Sequence, residues 1–144
     1  MKSKASLLLM EQLVMILVFA LAAAFCLQAF ALSDRLSREN LHRDNAVILA
    51  QNTAETLKAC GGDLSEVCAL LGGTVEQGLW YAYYDDALAP AAALSEDGYQ
   101  VDIFPVPTQR ETLGQALVSV YAEGGSEPVF TLTAAWQKEV PAHG

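Results

Sequence analysis

Leu13 to Leu32 reads LVMILVFALAAAFCLQAFAL, twenty residues in which Gln28 is the only strongly polar side chain. At about 1.5 Å per residue, an α-helix of that length crosses a hydrocarbon layer of roughly 30 Å. A helix on the surface of a globular core keeps a polar face toward water. This one has none, so it reads as a membrane segment. A secretory signal would carry a shorter apolar stretch of about 7–15 residues, then small residues at a cut site. The run is longer than that, and Ala29 to Ser33 is a poor site of that kind, so the segment is expected to stay in the mature protein. Charge counting leaves its orientation open, because Lys2 and Lys4 precede it and Arg35, Arg38 and Arg43 follow it.

Outward from this run nothing breaks a helix for a long way. The first glycine is Gly61 and the first proline Pro90. Leu7 to Lys58 is therefore free to form one helix of 52 residues, about 78 Å long. Beyond Ser33 its character changes: Asp34, Glu39, Asp44 and Glu55 balance Arg35, Arg38, Arg43 and Lys58. Val47, Ala50, Ala54 and Leu57 then recur at the 3-4-3 spacing of an amphipathic stripe, so this part is expected to lie against something. Asp34 to Asp44 is polar nearly all round and reads as a stalk. Gly61-Gly62 ends the helix. Asp63 opens a short second one, with Glu66 placed to complete an acidic capping box, and Gly72-Gly73 closes it.

The remainder is acidic and strand-like. Residues 59–144 hold twelve carboxylates against Arg110 and Lys138. Four strands are expected: Leu79–Tyr84 (LWYAYY), Tyr99–Phe104, a third presenting Ala116, Val118, Val120 and Ala122, and a fourth presenting Phe130, Leu132, Ala134 and Trp136. Gly124-Gly125-Ser126 marks a hairpin between the last two, with Pro128 at the first position of the fourth strand. Ala87 to Leu94 reads as an alanine-rich loop. The fold class is α+β: a long N-terminal membrane-spanning helix continues into an amphipathic stalk packed on a small antiparallel sheet. The organisation is a short basic leader, an apolar membrane helix ending at Leu32, a stalk over 33–60 and a head over 61–144.

Composition excludes several classes. Of the 144 residues 17% are charged and 53% hydrophobic, against roughly 25% charged in an ordinary soluble domain, so intrinsic disorder is ruled out. The net charge of −9 argues against nucleic acid as the main partner, since a phosphate-tracking groove needs clustered cations. His42 and His143 fit no catalytic or metal spacing, and no glycine-rich phosphate loop follows a strand, so no enzyme and no cofactor are expected. Cys26 lies in the membrane run as a small apolar residue. Cys60 and Cys68 flank the Gly61-Gly62 turn, where a disulfide would pin the second helix to the first; two packed free thiols are the other reading. Asp85, Asp86, Glu96 and Asp97 bracket a loop. They are the candidate Ca²⁺ ligands, with solvated turn acids as the alternative. Leu79, Trp80, Tyr81, Tyr83 and Tyr84 read as half-buried sheet core or as a binding face.

The leader MKSKAS, followed by LLLMEQLVMILVFALAAA, resembles the N-terminus of type IV pilins and of the pseudopilins of type II secretion. There a short basic leader ends in a small residue and precedes an apolar run broken by one Glu at its fifth position. Matched here, the cut falls between Ser6 and Leu7, which makes 1–6 the leader and 7–32 the membrane helix, and the Glu is Glu11. Ser6 stands where the family more often has Gly, and Leu7, Leu8 and Leu9 where it more often has Phe, Thr and Leu. The resemblance implies processing by a prepilin peptidase, methylation of Leu7, and assembly through the N-terminal helix with Glu11 registering the incoming subunit. It implies a structural subunit, minor pilin or pseudopilin, of a filament, anchored in the cytoplasmic membrane with its head outside. The residues alone leave two further readings open. Glu11 and Gln12 sit at the headgroup level with Leu13 opening the span, or the chain is an uncleaved single-pass protein with an acidic binding or sensor domain.

Overall fold

The computed structural model describes residues 2–138, so His143 lies outside the described residues. Helix α1 runs Lys2–Ala59 and α2 Leu64–Leu71. The strands are β1 (Thr74–Glu76), β2 (Leu79–Tyr84), β3 (Pro90–Ala91), β4 (Tyr99–Val106), β5 (Leu113–Ala122) and β6 (Phe130–Gln137). The chain divides into two compact units, one ending at Asn40 and the other beginning at Leu41.

The first unit is the N-terminal part of α1. Every residue from Lys4 to Asn40 is exposed, including Leu7, Phe19, Phe25 and Phe30. This is one helix long and apolar enough to cross a membrane. Past the apolar run, Arg38 pairs with Asp34 at 3.2 Å and Arg35 with Glu39 at 3.1 Å. Such exposed i,i+4 pairs each add about 0.3–0.5 kcal/mol to a helix that has no packing to support it there.

The second unit is built on an antiparallel sheet of order β1-β2-β4-β5-β6, with β3 beside β1 on the same edge of β2. Period-2 alternation sends Trp80, Ala82 and Tyr84, then Tyr99, Val101 and Ile103, then Ala116, Val118 and Val120, and finally Ala134 to one buried face. There they form a single cluster with Ala46, Leu49, Ala50, Ala54 and Leu57 of α1 and Val67 of α2. Ala46, Ala50 and Ala54 follow one another at i,i+4, a small-residue line that leaves room for the large Trp80 and Tyr99. The Tyr99 hydroxyl is satisfied inside the core, 2.8 Å from His42 Nδ1 and 3.4 Å from Asn45 Nδ2. Trp80 Nε1 donates to Gly72 O at 2.9 Å.

Several expectations shift. The buried stripe of α1 is Ala46, Leu49, Ala50, Thr53, Ala54 and Leu57, with Val47 only half-buried at its margin. The contact face is thus centred away from Val47, because the alanines admit a closer approach. Among the described residues the strands number six, since β1 and β3 are too short to show a period, and β3 lies inside the alanine-rich loop. Pro128 precedes β6, which starts at Phe130. Asp63 caps α2 by accepting from Ser65 N at 2.8 Å, while its own amide donates to Cys60 O. The return bond expected from Glu66 is therefore replaced by a backbone one.

The end of α1 carries the paired Schellman bonds: Gly62 N donates to Leu57 O at 2.9 Å and Gly61 N to Lys58 O at 3.0 Å. Both glycines have positive φ, 60° and 89°. They differ in surroundings. A Cβ on Gly61 meets open space, whereas one on Gly62 would overlap the Trp136 ring, which also lies over its cross-strand partner Gly114. Gly61→Ala should therefore cost about 1 kcal/mol from backbone conformation alone. Gly62→Ala should cost about 2–4 kcal/mol, adding overpacking to the same strain. Denaturant unfolding of the full chain in a nonionic detergent measures the difference.

Candidate functional site

Glu11 stands in the first unit among Leu7, Leu8, Val14 and Met15, its neighbours one turn to either side. All four are exposed, and among the described residues no ion pair reaches Glu11. A carboxylate set in an apolar stripe that nothing in the chain covers costs up to a few kcal/mol in hydrocarbon unless a partner or the interface neutralises it. Ser6 and Leu7 lie inside α1, which is helical through the expected cut.

The candidate Ca²⁺ ligands are not assembled. Asp85 Oδ1 accepts from Ala89 N at 2.8 Å, and the Asp85 amide donates to Ala89 O, so this carboxylate closes its own turn. Asp97 contributes its amide, which donates to Glu123 Oε2 at 3.1 Å. Asp86 and Glu96 are exposed. Among the described residues, no three His, Cys, Asp or Glu side chains gather to hold an ion.

Cys60 and Cys68 are free thiols and not a disulfide. Cys68 Sγ donates to Gly73 O at 3.4 Å, turned to the chain that leaves α2. Burial, then the Glu66 and Asp63 carboxylates, push the Cys60 thiol up, which keeps it protonated and slow to oxidise. On the sheet, Trp80 and Tyr84 belong to the core. Tyr81 and Tyr83 occupy the opposite face and stack edge to face at 5.9 Å. Asp102 shares that face, accepts from Gln100 Nε2 at 2.8 Å, and is raised by burial in spite of that bond.

A constellation that spacing along the chain could not reveal lies at one end of the sheet. The register Leu113↔Gln137 brings together the start of β5 and the end of β6. Lys138 N donates to Thr112 O at 2.9 Å. Arg110 and Lys138, 28 positions apart, thereby line one cavity of about 560 Å³, together with Leu64, Ile103, Val106 and Trp136. Thr108 Oγ1 ties the bordering loop to Leu113 O at 2.7 Å and Arg110 O at 3.0 Å. The sequence signal was only that these are the two cations of an acidic region.

Comparison with family models, with curated proteins and with solved structures found no significant match to this chain.

Two titrations follow from these environments. Because burial holds the folded-state pKa of Asp102 above its unfolded value, the fold binds that proton more tightly, and stability falls as pH rises through the interval between them. Asp102→Asn, which keeps the acceptor for Gln100, should stabilise the full chain at neutral pH. That gain should vanish below about pH 4, measured as the difference in unfolding midpoint. Glu66→Gln should lower the Cys60 pKa and speed its alkylation by iodoacetamide at neutral pH roughly twofold or more, read by peptide mass spectrometry.

Proposed function

We propose that this chain is a structural subunit of a pilin-like or pseudopilin-like filament, not an enzyme. A prepilin peptidase removes residues 1–6 and methylates Leu7, and Leu7 to Leu32 then exchanges lipid for the helices of neighbouring subunits. The observation that carries the reading is Glu11: one carboxylate in an exposed apolar helix, five residues past Ser6, the small residue that closes a basic leader. Cleavage at Leu7 would free an α-amino group, and that group on a neighbouring copy is the partner that Glu11 lacks. Helix–helix packing in such an environment is driven by van der Waals contact and small residues, and Ala20, Ala22, Ala23 and Ala24 allow close approach. The α+β layout, with the outer part of α1 covering an antiparallel sheet, agrees with that family's architecture.

The membrane carries the chain before assembly, with the acidic head outside the cytoplasm. Its charge makes the head a poor surface for DNA. The competing reading is an uncleaved single-pass protein in which Glu11 rests at the headgroup level.

The mass of the N-terminal peptide of membrane-extracted protein decides between them. A chain beginning at methylated Leu7 is expected, and a Met1 or Lys2 start in the assembled protein overturns the proposal. Glu11→Ala should abolish incorporation into filaments while leaving the unfolding midpoint of the head unchanged. Incorporation at the wild-type level would remove the pairing role.

A further inference from the structure

We propose that the cavity at the β5–β6 end of the sheet binds an organic monoanion, a carboxylate carried on a compact apolar body. The inference concerns the head alone and stands or falls independently of the filament reading.

Its volume of about 560 Å³ falls in the range of roughly 300–1,000 Å³ that holds small molecules. The lining combines an apolar part (Leu64, Ile103, Val106 and the Trp136 ring) with Arg110 and Lys138. Residues 59–144 carry twelve carboxylates and only these two bases, yet among the described residues neither base has a carboxylate within 4.0 Å. Cations kept only for solubility in so acidic a domain would find partners among its own acids. Both are instead brought to one concavity, with no carboxylate among the described residues paired to either.

Among the described residues, Glu111 is the one acid in the lining. Arg110 and Lys138 less Glu111 leave one positive charge, which matches a single carboxylate better than a doubly charged phosphate ester. Arg110 supplies a planar fork suited to a carboxylate, and Lys138 a mobile point charge. An unused donor lies in the same wall: Trp136 Nε1 is buried with no hydrogen-bond partner, a state that costs about 1–3 kcal/mol. Thr108 anchors the loop bearing Arg110, and the strand register holds Lys138 against it, so the site exists before any ligand arrives.

The chain has two tryptophans, and their indole N–H groups serve as reporter and control. The ¹⁵N-labelled full chain in nonionic detergent micelles is titrated with phenylacetate, and the Trp136 signal is assigned with Trp136→Phe. We expect the Trp136 resonance to move saturably while that of Trp80, bonded to Gly72 O, stays in place. Phenylacetamide, of the same shape without the charge, should bind about tenfold more weakly or worse. The double variant Arg110→Gln/Lys138→Gln should lose a similar factor with its Trp80 signal unchanged, which shows the fold intact. Added salt should weaken binding. No saturable movement of Trp136 at millimolar phenylacetate overturns the proposal. So does equal affinity for the amide, an outcome that needs no variant to fold, or undiminished affinity in the double variant.

Discussion

The contact between the 46–57 stretch of α1 and the inward face of the sheet is the constraint on which the second unit depends. Neither surface is stable in water alone. The helix stretch offers three alanines, two leucines and a threonine, too little apolar area to hold a helix by itself. The sheet exposes a full face of Trp80, Tyr99, Ile103 and three valines until something covers it. Their shapes are complementary: small residues on the helix, bulky ones on the strands. Two of the polar groups carried inside are satisfied there, the Tyr99 hydroxyl by His42 and Asn45 and the Trp80 indole by Gly72 O. The turn after α1 has to be tight, because Trp136 lies where any side chain on Gly62 would stand.

That arrangement explains the division of labour along one helix. From Ala46 onward α1 is held by packing. Before it, the same helix has no intramolecular cover, and its large apolar side chains stand exposed from Leu7 to Leu32. Hydrocarbon, or other helices of the same kind, is the environment in which such a surface is stable. Glu11 is the one carboxylate inside that surface, which makes the neutralisation of its charge the central chemical question about the N-terminal unit.

Charge shapes the head in a different way. Its acids are spread over turns and strand ends, where several serve the backbone: Asp63 caps α2, Asp85 closes a turn and Glu123 receives the Asp97 amide. Burial raises the pKa of Asp102, and burial followed by the nearby Glu66 and Asp63 carboxylates raises that of Cys60. Arg110 and Lys138, the two bases of residues 59–144, both line one cavity.

How much of this was legible beforehand follows from range. Period-2 alternation in Tyr99–Phe104 and Ala116–Val120, the apolar run at Leu13–Leu32 and the Gly61-Gly62 stop are local patterns, and each appears in the structure where the chain places it. The short pairs β1 and β3 carry no period, and Val47 yielded its place because the face of a helix is chosen by what it meets. The two thiols and the turn acids were legible as residues but not as partners, since bonding them requires positions that only folding supplies. The sequence by itself determined the two helices and the four longer strands: hydrophobic period and helix-breaking residues act over a few positions and need no distant contact. The tertiary structure alone decided which residues share a site, because the β5–β6 register joins Arg110 to Lys138 across 28 positions of chain that carry no trace of the pairing.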